Sequence, residues 1–220
     1  MNTNKIDKIK ARVTIPLDKV LSLSVFDEPR PKYISKITIF DKFFRFTILR
    51  FFPRFIRPNF LTVFRFVSIP FIIILLLNNN FLSGFWLFII SALSDALDGA
   101  MARTRNQITD WGIVFDPVAD KILIGSVSVI LIARFISPLL AGLIVVLEIL
   151  MIVSAYWRYK GKIVPAKVAA KIKMILQCLG VAILLLALVW NSPILISLAT
   201  YTLILSVIFS LLSLIVYRSI

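Results

Sequence analysis

An all-α integral membrane protein is the fold class this sequence predicts: six transmembrane helices in one bundle, preceded by an amphipathic helix lying in the membrane interface. Three observations predict it. The first is apolarity: 60% of the 220 residues are hydrophobic and the mean hydropathy is +0.96, above the roughly 45–50% apolar share of a soluble domain. The second is length: six apolar runs, each long enough to cross a bilayer core of about 30 Å, are joined by short polar connectors such as Asn78-Asn79-Asn80 and Trp190-Asn191-Ser192-Pro193. The third is the placement of cations. More than half of the 25 Lys and Arg lie in residues 1–65, and most of the others in 103–121 and 158–173.

Taken in order, residues 1–58 form an N-terminal juxtamembrane segment and residues 59–220 the six-helix domain. The first 34 residues are polar, lack a strong period and are punctuated by Pro16, Pro29 and Pro31. They contain no short apolar run of the signal-peptide kind, so the first span is expected to direct its own insertion. In residues 35–57, Phe40, Phe43, Phe44, Phe51 and Phe55 interleave with Lys42, Arg45, Arg50, Arg54 and Arg57. That pattern suits a helix in the headgroup layer, its cations facing anionic membrane lipids. The expected spans are 60–77, 82–102, 112–134, 137–156, 171–190 and 195–216. The sequence shows no internal repeat, which weighs against an inverted-repeat transporter. By the positive-inside rule the N-terminus, the loops after spans two and four and the C-terminus are cytoplasmic, as expected of a plasma (inner) membrane protein. Read this way, the net charge of +14 addresses lipid headgroups and not a nucleic acid. The single cysteine, Cys178, falls in an apolar stretch and reads as a buried thiol.

Against this background four aspartates stand out. Asp95 and Asp98 lie in span two, Asp116 and Asp120 in span three, in the pattern D-x-x-D-G-x-x-A-R, eight residues, G-x-x-x-D-x-x-x-D. Spacings of three and four place each pair on one helical face. An ionised carboxylate in a membrane is costly unless a positive partner neutralises it. Four together point to a divalent-metal site. With no histidine in the chain, oxygen ligands favour Mg²⁺ or Mn²⁺, and such metals serve phosphate chemistry. Gly99, Ala102 and Gly112 keep the approach to these faces small, and Arg103 is placed to take a phosphate oxygen. The alternative from a different class is a cation-coupled transporter using the carboxylates as an ion path.

The pattern formed by Asp95, Asp98, Gly99, Ala102, Arg103, Gly112, Asp116 and Asp120 resembles the signature of the CDP-alcohol phosphotransferase family. These are membrane enzymes that join a CDP-linked donor to an alcohol and release CMP. The resemblance implies a two-metal centre on Asp95, Asp98 and Asp116, with Asp120 the general base and a further possible metal ligand. Asn59-Phe60-Leu61-Thr62-Val63-Phe64-Arg65 is similar to the family's N-x-x-T-x-x-R segment, implying that Asn59, Thr62 and Arg65 approach the nucleotide and diphosphate together with Gly99, Ala102, Arg103 and Gly112. Without the family, Asn59 reads as a helix cap and Arg65 as an interfacial arginine. A homodimer is implied as well.

The acceptor end is less regular. Asp116-Pro117-Val118-Ala119-Asp120-Lys121 resembles the D-P-x-A-D-K form of phosphatidylglycerolphosphate synthases and the related cardiolipin synthases. Lys171-Ile172-Lys173 is similar to the G-K-x-K-T segment of the former, with Ala170 and Met174 in place of Gly and Thr. Where those synthases carry R-E-F, this chain has Leu147-Glu148-Ile149. Glu148 is kept and the arginine is not. The implied substrates are CDP-diacylglycerol and glycerol 3-phosphate, with Lys121, Glu148, Arg158, Lys171 and Lys173 as candidate acceptor residues. The alternative is cardiolipin synthesis or another alcohol acceptor.

Overall fold

A computed structural model describes residues 58–105, 107–159 and 168–218. The interfacial helix expected in residues 35–57 and the segment before it lie outside the described residues, as do Lys160, Lys162 and Lys167. The described chain forms six helices, α1 Pro58–Leu77, α2 Phe81–Thr104, α3 Asp110–Phe135, α4 Pro138–Tyr159, α5 Val168–Trp190 and α6 Pro193–Arg218. Each coincides with an expected span to within a few residues.

Local chemistry explains the boundaries. Pro58, Pro138 and Pro193 each open a helix, where a missing N–H costs nothing. Thr109 caps α3, its Oγ1 accepting from the Gly112 N–H at 3.0 Å. The turns after α1 and α5 place Asn79 and Asn191 at φ 59° and 50°, a left-handed geometry that asparagine tolerates. These turns let Asn80 N–H reach the Leu75 carbonyl and Ser192 N–H the Ala187 carbonyl, at 2.9 and 3.0 Å.

Among the described residues, four helices are long and apolar enough to cross a membrane: α1, α2 as far as Ala102, α5 from Ala169 and α6 as far as Ile215. α4 contributes a shorter apolar stretch, Pro138–Ser154. α3 has the length, 26 residues, and differs by carrying Asp110, Asp116, Asp120, Lys121 and Arg134. The protein is thus an all-α membrane protein. On α1, Phe60, Phe64, Val67, Phe71 and Ile74 form an exposed stripe fitted to lipid, while Asn59, Thr62, Arg65, Ser68, Ile72 and Leu76 line the buried face. The inward half of that face is polar near the N-terminus and apolar beyond Ser68.

The apolar core joins Ile72 and Leu76 of α1, Phe88 of α2, Leu131 of α3, Leu184 of α5 and Leu203 of α6. α5 and α6 form the most intimate pair, and Gly180 permits it: a Cβ there would stand 2.8 Å from Leu203 Cγ and 3.0 Å from Thr202 Oγ1. The short link between spans two and three predicts antiparallel neighbours whose aspartate pairs converge. Instead α1 packs against both, and α2 and α3 barely touch each other. α1 thereby brings one cation, Arg65, against acids of both helices.

Candidate active site

The centre of the site is Arg65, whose side chain is fully buried. Its Nη2 donates to Asp98 Oδ2 at 2.7 Å and lies 3.6 Å from Asp95 Oδ1. Its Nη1 stands 2.8 Å from Asp120 Oδ1, off the line of a hydrogen bond, so that contact is an ion pair. One guanidinium on α1 therefore ties an acid pair on α2 to an acid on α3. The planar fork of arginine makes this possible, where a lysine would offer one point of charge. Asp98 and Asp120 are 2% and 13% exposed, while Asp95 is 47% exposed, so the cluster opens on the Asp95 side.

Asp116 is held from the same helix. Thr62 Oγ1, one turn before Arg65, donates a hydrogen bond to Asp116 Oδ1. A turn earlier, Asn59 Oδ1 accepts from Thr109 Oγ1 at 2.9 Å. Asn59, Thr62 and Arg65 thus lie along one face of α1 at intervals of three, each turned to a neighbouring helix or its cap. Gly112 lies beneath this network: a Cβ there would meet Asp116 Oδ2 and Thr109 Oγ1 at 3.3 Å and Asn59 Oδ1 at 3.4 Å. Gly99 and Ala102 sit in the turn of α2 that follows Asp98. Arg103 lies in α2, and its side chain is outside the described set.

The structure brings all four aspartates to one end of the bundle around α1. Among the described residues, no three of them close on a common point as a ready cation cage; they are spread around the guanidinium instead. In donor chemistry the set nevertheless fits hard divalent cations. Every ligand atom is an anionic or hydroxyl oxygen, and four carboxylates against one guanidinium leave negative charge in excess at a semi-buried place.

The acceptor candidates divide. Glu148 of α4 and Lys173 of α5 are joined to each other in an ion pair, with Lys173 only 3% exposed. Each therefore answers the other's burial cost. Lys121 and Lys171 are exposed on α3 and α5, and the side chain of Arg158 is outside the described set. Leu147 is 4% exposed within the apolar core, so the position beside Glu148 faces packing and not the site.

Several site residues escaped the sequence reading. Thr109 could have been found as a threonine preceding an acidic first helical residue, a common helix start. Ser68 and Ser91, whose hydroxyls meet at 2.6 Å between α1 and α2, and Ser94, which bonds the Ser91 carbonyl at 2.7 Å, carry no such signal. They form a polar seam that continues the site toward the core.

An all-helical membrane protein with a carboxylate cluster at one end of its bundle, held by a buried arginine, has the build of a membrane-embedded transferase acting on phosphate esters. Comparison with known proteins makes the class specific. Residues 55–212 match the profile of the CDP-alcohol phosphatidyltransferase family, and the chain belongs to that family of enzymes, which is generally metal-dependent. Its relatives include proteins named CDP-diacylglycerol--glycerol-3-phosphate 3-phosphatidyltransferase from Rickettsia typhi and Rickettsia prowazekii. Each is 37% identical over 136 residues, covering 59% of this chain and 75% and 74% of those proteins. One of the same name from Wigglesworthia glossinidia brevipalpis is 33% identical over 138 residues, covering 58% of this chain and 75% of its own length.

Proposed function

We propose that the protein transfers the phosphatidyl group of CDP-diacylglycerol to glycerol 3-phosphate, forming phosphatidylglycerol phosphate and CMP. The observation that carries this reading is the gathering of Asp95, Asp98, Asp116 and Asp120 from two helices around α1. The names borne by relatives that share most of their length with this chain support the choice of substrates.

In this reading Asp95, Asp98 and Asp116, with Asp120 as a further ligand, would hold two Mg²⁺ or Mn²⁺ ions. When bound, such a pair supplies Lewis-acid polarisation of the diphosphate and neutralises charge on the leaving CMP. The remaining duties fall to the chain. Asp120 takes the proton from the acceptor hydroxyl as its oxygen attacks the phosphatidyl phosphorus. The bond from that phosphorus to the bridging oxygen breaks, and the oxygen leaves with CMP. Arg65 holds Asp98 and Asp120 in place by pairing with both, while Asn59, Thr62, Gly99, Ala102, Arg103 and Gly112 shape the nucleotide and diphosphate side. Lys121, Arg158 and Lys171 are available to the acceptor phosphate, and Lys173 reaches it only by sharing Glu148. The site faces the cytoplasm of a plasma (inner) membrane, and the enzyme works as a homodimer.

Purified protein in lipid nanodiscs, given CDP-diacylglycerol and Mg²⁺ or Mn²⁺, is expected to release CMP when glycerol 3-phosphate is added. Release with phosphatidylglycerol and not with glycerol 3-phosphate would reassign the acceptor. Asp120→Asn is expected to retain CDP-lipid binding and lose about 10²- to 10⁴-fold in turnover, the usual contribution of a general base. Unimpaired turnover in that variant would remove Asp120 from the role.

A further inference from the structure

We infer that Thr109 is a positioning residue for the carboxylate site, setting the register of α3 against α1 so that Asp116 is presented in one orientation. The inference rests on the metal reading above and extends it to a residue outside the aspartate pattern. Thr109 uses its hydroxyl twice. The oxygen accepts from Gly112 N–H at 3.0 Å, closing the first turn of α3, and the O–H donates to Asn59 Oδ1 of α1 at 2.9 Å. Thr109 and Asn59 are 6% and 3% exposed, so water competes little for either bond. Both oxygens of Asp116 depend on the same register. Oδ1 accepts from Thr62, one turn along α1 from Asn59. Oδ2 lies over Gly112, 3.3 Å from where a Cβ would stand, and Thr109 Oγ1 and Asn59 Oδ1 flank the same point at 3.3 and 3.4 Å.

The first two turns of α3 are therefore tied to successive turns of α1, Thr109 to Asn59 and, seven residues on, Asp116 to Thr62. Loss of the first frees the start of α3 from α1 and leaves the orientation of Asp116 to Thr62 and to the Arg65–Asp120 ion pair further along the helix. A ligand carboxylate that loses its outer support typically costs about 10- to 100-fold in metal affinity or activity. Threonine suits the task because one atom serves as both acceptor and donor. Valine has its shape without either bond, and serine keeps both.

The test is Mn²⁺ binding to the full-length protein in nanodiscs, followed by electron paramagnetic resonance, alongside CMP release. Thr109→Val is expected to weaken Mn²⁺ binding and lower kcat by about 10- to 100-fold, with a smaller change in KM for CDP-diacylglycerol, while Thr109→Ser restores both toward wild type. Asn59→Ala, which leaves the Gly112 cap in place, serves where the valine variant fails to fold, and is expected to weaken Mn²⁺ binding likewise. Folded variants with unchanged Mn²⁺ affinity would overturn the inference, as would a serine variant as impaired as valine. If the wild-type protein bound no Mn²⁺, the metal reading itself would fall and this inference with it.

Discussion

At the scale of single residues, the site is organised by a cation that the protein itself supplies. Arg65 touches three of the four aspartates, and with Thr62 and Asn59 it makes one face of α1 the scaffold for acids on two other helices. Removing it leaves Asp98 and Asp120 buried without the cation that pairs with both. Breaking a buried ion network by deleting one partner costs about 3–5 kcal/mol, and Arg65→Ala is expected to lower the thermal unfolding temperature in nanodiscs accordingly. Arg65→Lys should recover only part of the loss, since one ammonium cannot fork between Asp98 and Asp120. Equal stability of the alanine variant and wild type would show that the acids are satisfied without the guanidinium. The aspartates were legible in the sequence because charge in an apolar run is conspicuous. The partnership of Arg65 with them was not, because residues 33 positions apart meet only through helix packing.

Individual helices follow the sequence closely, and their contacts with one another follow it less. Proline starts, asparagine turns and apolar runs placed all six helices within a few residues, since each is a local signal. The insertion of α1 between α2 and α3 was missed, because a short link of residues 105–109 suggests adjacency while saying nothing of what sits between the joined helices. Small residues carry part of that information. Gly180 lies against Leu203 and Thr202, whereas Gly125 has nothing within 4 Å of the place a Cβ would take. Gly180→Ala is therefore expected to destabilise by roughly 1–3 kcal/mol through overpacking, and Gly125→Ala to be near neutral. Chemical unfolding in detergent micelles distinguishes the two. Similar effects would mean that the α5–α6 contact has room to relax.

For the whole molecule, charge distribution and architecture agree on a polarity. Arg134 Nη1 lies 3.5 Å from the Leu76 carbonyl and Phe81 packs edge-on to Phe135, so the α1–α2 and α3–α4 turns share one end of the bundle. The aspartates occupy the other, with Arg105 at the end of α2 and Lys171 at the start of α5. In a Cys178→Ser background, an impermeant thiol reagent applied to intact cells is expected to label Asn79→Cys, and to reach Arg105→Cys only after the membrane is opened. The reverse pattern would invert the protein and place its chemistry outside. The position of α1 has a consequence in time as well. Translation runs from the N-terminus, so the guanidinium of Arg65 is synthesised before any of the four acids. Each acidic helix thus emerges from the ribosome after the charge that will neutralise it, and the chain delivers its counter-ion ahead of its debt.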